Sequence, residues 1–155
     1  MALLLLACTG PSAEQRLASA RQYLDRDESA AAAIEVKNFL ADDPDSAVGR
    51  YLLGRALLAA GDVDGAATEL KRAEAQGHDL NELAPTLAAL WLAQQQPRQV
   101  LTRFDGMTLP QPRAAAALLT QVAQAQRELG QPDKAQQSVD TALQQMPGFE
   151  PATLL

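Results

Sequence analysis

The chain has 155 residues, the length of one ordinary domain, with 31 alanines and 25 leucines against only seven valines and isoleucines and six aromatics. That balance excludes a β-sandwich or barrel and argues against an open α/β sheet, because strand-favouring residues are scarce and helix formers dominate. A net charge of −6 argues against a nucleic-acid binder, which needs a basic stripe, and one Cys with one His excludes a disulfide framework, a multi-cysteine zinc site and most His-based sites.

In chain order, the first segment is Met1–Cys8, an apolar stretch that ends in Leu5-Leu6-Ala7-Cys8 and runs into the polar Thr9-Gly10-Pro11-Ser12. It resembles a bacterial lipoprotein signal, whose lipobox reads Leu-x-small-Cys. The resemblance implies that Cys8 is acylated and becomes the first mature residue. Several acyl chains on one residue satisfy the two-signal requirement for stable anchoring. No Lys or Arg precedes the apolar stretch, so a basic n-region is expected further upstream. Thr9, in place of Asp, favours the outer membrane over the inner one in lipoproteins of this kind.

Beyond residue 12 the pattern is helical and recurrent. First helices are predicted at about 13–25, 47–60, 82–95 and 114–129, and second helices at about 29–41, 63–76, 97–105 and 132–145. Equivalent positions of the second helices are Ala32, Ala66, Val100 and Ala135, at spacings of 34, 34 and 35 residues. Gly61 is the expected C-cap where the chain reverses, Asp62 the N-cap that follows, and Asp45 or Ser46 the N-cap before residue 47. Pro44 and Pro147 stop the helices before them. Asp27 and Gln95 stand where this turn has glycine elsewhere. Pro85 is placed in a first helical turn, where its missing N–H costs little. Asp105-Gly106 cuts one second helix short, and Met107–Pro112 reads as an extended linker.

A repeat of this length with two helices resembles the tetratricopeptide repeat (TPR), and the second unit carries it best through Leu53, Gly54, Leu57, Gly61, Ala66, Leu70 and Ala73. The resemblance implies an all-α, right-handed α-solenoid of about four repeats, at about 13–46, 47–80, 81–115 and 116–149, within an array spanning 13–147. Residues 1–12 are then signal remnant and tether, and 148–155 open a further repeat. An array needs polar capping units, and Val139 and Leu143 read as partly uncovered, so the chain is expected to be the front of a longer array or to be closed by a partner. The segments AAAIEVKNFLADDPDSAVGRYLLGRALLAAGDVDGAATELKRA and WLAQQQPRQVL, behind a lipobox, also resemble the N-terminal part of TPR-repeat lipoproteins of the PEP-CTERM/exosortase system. Those proteins accompany envelope protein sorting and exopolysaccharide export.

Chemistry is sparse. His78, in an inter-repeat turn, is expected to be solvated. Asp42, Asp43 and Asp45 lack the glycine and terminal Glu of a calcium loop. Five serines come without a nucleophile elbow, and no glycine-rich phosphate loop follows a strand. Trp91 falls on a packing position. No catalytic residue, cofactor or metal is expected. The TPR resemblance implies instead a concave groove lined by the first helices, at Leu17, Arg21 and Leu24; Tyr51, Arg55 and Leu58; Ala89 and Leu92; and Thr120, Gln124 and Arg127. Arginines, one tyrosine and aliphatics suit a peptide or helix laid in a groove, and the arginines suit carboxylates. The Lys and Asn of the chaperone-tail clamp are replaced here by Leu17 and Arg21.

The expected function is a non-catalytic protein–protein interaction scaffold, lipid-anchored through Cys8 and facing the periplasm. Its partner is another protein or a peptide segment, with neither nucleic acid nor a small-molecule substrate. The alternatives are the TPR front of a larger enzyme, such as a glycosyltransferase, and a cytosolic TPR adaptor.

Overall fold

A computed structural model of the protein describes residues 11–153. Among them the ordered elements are helices: α1 (Ala13–Asp25), α2 (Ser29–Asp42), α3 (Ala47–Ala59), α4 (Val63–Ala75), α5 (Leu80–Ala93), α6 (Pro97–Phe104), α7 (Pro112–Glu128), α8 (Pro132–Gln145) and the short α9 (Glu150–Thr153). Each odd-numbered helix from α1 to α7 packs against its successor, and each pair packs against the next. This stack of adjacent helical hairpins is compatible with an α-solenoid.

The turn inside each hairpin has one geometry, four times over. Asp27, Gly61, Gln95 and Gly130 all have positive φ, between 58° and 82°. At Gly61 the backbone makes both bonds of a Schellman motif, Gly61 N to Leu58 O at 3.0 Å and Asp62 N to Leu57 O at 2.9 Å. These satisfy carbonyls the helix end would leave orphaned. Asp27 and Gln95 make the equivalent pairs of bonds without being glycine, so the turn is imposed on them by the hairpin. The following helix is capped where polar residues allow: the Asp62 carboxylate accepts from Gly65 N at 2.9 Å, and the Ser46 hydroxyl from Gly49 N at 3.4 Å. Ser46, and not Asp45, is therefore the cap of α3.

The core follows the repeat. Ala32, Ala66 and Val100 are completely buried and Ala135 nearly so. One turn further on, Val36, Leu70 and Phe104 are buried as well. Small residues set the close approaches. A Cβ added at Gly54 would lie 2.6 Å from Leu70 Cγ, so α3 and α4 touch there backbone to side chain. Trp91 stacks on Phe104, ring centroids 5.3 Å apart, and is buried as its packing position implies. A separate small core of Ala116, Ala142, Phe149 and Ala152 joins α7, α8 and α9, with Val139 and Leu143 packed partly buried against it.

Two helix starts differ from expectation. Helix α5 starts at Leu80, because the Asp79 carboxylate caps it by accepting from Asn81 N at 3.0 Å. Pro85 is consequently inside the helix and not in its first turn. Helix α7 starts at Pro112, which takes the first helical position that suits proline and so ends the linker one residue early.

Candidate functional site

The first helices of the hairpins, α1, α3, α5 and α7, contribute the walls of one groove. It has two adjoining cavities that share Arg55, Pro85 and Thr86. The smaller, about 360 Å³, is chiefly apolar, with Leu24, Leu58, Ala59 and Ala89 around it and Asp27 at its edge. The larger, about 660 Å³, is polar, with Asp25, Tyr51, Asn81, Glu82, Gln111 and Arg113 at its walls. Both volumes lie in or near the range of ordinary binding clefts.

Beneath the larger cavity a network ties three helices and a turn together. The Tyr51 ring stacks on the His78 ring at 4.2 Å and 21°. His78 Nε2 is 2.8 Å from Glu82 Oε2, and Arg21 Nη1 donates to Glu82 Oε1 at 3.0 Å. The Thr86 hydroxyl donates to the Glu82 carbonyl at 3.0 Å and lies 3.3 Å from the Tyr51 hydroxyl. Because the single Thr86 proton is committed to that carbonyl, Tyr51 is the donor of the second bond. The guanidinium of Arg55 stands 5.8 Å from the Tyr51 ring centroid, within cation–π range. Helices α1 and α5 do not pack on each other, so the Arg21–Glu82 pair bridges the width of α3.

The charges are set by these contacts. The Glu82 carboxyl is lowered to about 2, first by the hydrogen bond from His78 and then by Arg21, against the opposing effect of partial burial. Burial pushes the Tyr51 phenol above its ordinary value, with the Arg55 charge pulling the other way. Glu82 is thus a fixed carboxylate whose charge is already answered from both sides.

The residues expected to line the groove fall into two groups. Leu24, Arg55, Leu58 and Ala89 border the smaller cavity, and Tyr51 and Arg55 the larger. Tyr51 is nonetheless only 4% exposed: its ring is packed under the groove, and it is no open stacking platform. Arg21 is present but engaged by Glu82. Leu17 and Leu92 are half-buried against the core, and Thr120 is buried, its hydroxyl donating to the Ala116 carbonyl at 2.8 Å. Gln124 donates to Glu128 on the same helix. Arg127 borders a different, smaller cavity with Val139. His78 requires correction: its side chain keeps 7% of its surface, because it folds onto Tyr51 and so leaves the solvent expected for a turn residue.

Sequence reasoning passed over Asp25, Asn81, Glu82, Thr86, Gln111 and Arg113. One signal was present: Glu82 lies four residues after His78, the spacing that brings helical neighbours together. Asp42, Asp43 and Asp45 are exposed, and no group of three possible metal ligands comes together among the described residues. No helix among those residues is long and apolar enough to cross a membrane. Cys8 lies outside the described residues. No protein-family model matches the chain, and no curated protein matches it significantly.

Proposed function

We propose that the chain is a TPR-type scaffold without catalytic activity of its own. It acts as an envelope lipoprotein, anchored through Cys8 and facing the periplasm, in an exosortase/PEP-CTERM or exopolysaccharide export system. It works by offering the groove between its first helices to a peptide segment of a partner protein.

The observation that carries the binding role is the division of that groove into an apolar and a polar compartment on one rigid face. A peptide segment needs both, an apolar recess for anchoring side chains and fixed polar groups for register. The 34-residue recurrence of buried positions and of the left-handed turn supports the repeat type, since stacked identical units produce such a face mechanically. The anchoring and the pathway rest on the lipobox-like Leu5–Cys8 and on the segment resemblance given above.

The experiment is made in cells that carry the native gene. Wild type, Cys8→Ser and Leu58→Asp are fed an alkynyl palmitate, fractionated, and isolated with their bound proteins. The expected result is palmitate label and membrane retention in wild type and Leu58→Asp, both lost in Cys8→Ser. A specific co-isolated protein is expected with wild type and is missing from Leu58→Asp, whose melting profile stays cooperative. An unlabelled wild type refutes the anchor. Equal recovery of that protein with Leu58→Asp refutes the groove.

A further inference from the structure

Pro85 sits in the interior of α5 and has no N–H. The carbonyl of Asn81, four residues earlier, is therefore left without the helical donor that residue 85 would supply. Asn81 and Pro85 both border the larger cavity. A helix tolerates such a proline at a cost, and a buried or half-buried carbonyl acquires a partner elsewhere. Asn81 itself borders the groove.

The cations of the same cavity are of two kinds. Arg21 is paired with Glu82. Arg55 and Arg113 border the cavity and have no carboxylate within ion-pair distance among the described residues. Asp25 borders it as well, and Glu82 is already engaged by His78 and paired with Arg21. The polar compartment thus offers two cationic forks, one backbone acceptor and one repelling carboxylate, directly beside the recess of Leu24, Leu58 and Ala89.

On the reading of the groove given above, we propose that its occupant is an extended, internal segment of a partner protein with one carboxylate side chain. That carboxylate binds Arg55 and Arg113, a backbone N–H of the segment bonds the Asn81 carbonyl, and a neighbouring aliphatic side chain enters the recess. An α-helical ligand is disfavoured, because its backbone donors beyond the first turn are already used. A run of acidic residues is disfavoured, because Asp25 repels the second charge.

The test uses random peptides displayed with both ends fused, so that no terminal carboxylate is offered, selected on the full chain. The expected selection has one Asp or Glu per binding peptide, with an aliphatic residue nearby. Arg55→Gln and Arg113→Gln each weaken a selected peptide by about tenfold or more, the size of a hydrogen bond to a charged group, and Asp25→Asn raises the affinity of its doubly acidic version. Pro85→Ala, which restores the N–H that occupies the Asn81 carbonyl, weakens the same peptide while raising the melting temperature. Selected peptides without an acidic residue, or an unchanged affinity in both arginine variants, overturn the proposal and leave the groove itself standing. Unweakened binding to Pro85→Ala overturns the backbone contact. No enrichment at all overturns both the proposal and the groove.

Discussion

Asp27 and Gln95 do the work of glycine without being glycine. Each holds a positive φ, 59° and 58°, that costs an L-residue about 1–2 kcal/mol, while glycine takes it freely at some cost in chain entropy. Replacing Gln95 by Gly should therefore stabilise the fold by about 0.5–1 kcal/mol, read as a higher denaturant midpoint with an unchanged slope, and Asp27→Gly should behave alike. An unchanged midpoint in both would mean that the side chains contribute something the turn geometry does not account for.

Glu82 gives the second prediction at this scale. Its folded value, about 2, lies below the ordinary 4.5. A carboxyl depressed on folding adds stability above its unfolded value, and that stability fades as pH falls from about 4.5 to about 2. Wild type should lose stability across that window more steeply than Glu82→Gln. Equal slopes would show that the His78 and Arg21 contacts are not formed in solution. Because the side chains of Arg21 and Glu82 are 41% and 35% exposed, the pair itself is weak at neutral pH.

At the scale of the element, what was legible in the sequence is what local chemistry controls. Helix α1 starts behind Ser12, and α4 behind Asp62, because these side chains cap them. Asp105 ends α6 after eight residues, as its turn chemistry predicts. The two-residue error at α5 arose from passing over Asp79 as the cap, and it carried Pro85 with it into a false first turn. His78 and Tyr51 were out of reach for another reason: their contact joins positions 27 residues apart, and no local pattern marks it. The groove positions at Leu24, Arg55, Leu58 and Ala89 came from the TPR resemblance alone, and these four border the smaller cavity. Asn81, Gln111 and Arg113 were not marked by it, since they sit at helix starts and a linker, where the recurrence lapses.

Gly54 tests the close packing of α3 on α4. A methyl group there would meet Leu70 at 2.6 Å, with the Leu70 backbone N at 3.3 Å. Overpacking of this kind typically costs about 1–3 kcal/mol, and alanine returns up to about 1 kcal/mol in helix propensity. Gly54→Ala should then destabilise by about 1–2 kcal/mol in chemical denaturation. A neutral or stabilising effect would show that the two helices are further apart than described.

For the whole molecule, the stacked hairpins hold an apolar recess and a polar cavity in fixed relation, while the body around them carries a net charge of −6. That excess repels polyacidic surfaces at long range, so the acidic partner residue proposed above is one met individually by the arginines of the groove. Equivalent turns at residues 27, 61, 95 and 130 keep α1, α3, α5 and α7 on one face. On the proposed reading, the binding surface is a product of the repeat, and its specificity lies in the few residues that break it, among them Pro85 and Arg113.

The most direct measurement places a photo-crosslinking amino acid at Ala89, in the apolar recess, and separately at Ile34, 61% exposed on α2 and outside both cavities. Both proteins are expressed in the native cell and irradiated. A partner crosslinked from Ala89 and not from Ile34 is the predicted result. Capture from Ile34 with none from Ala89 would contradict it, and would move the binding surface from the groove to the second helices.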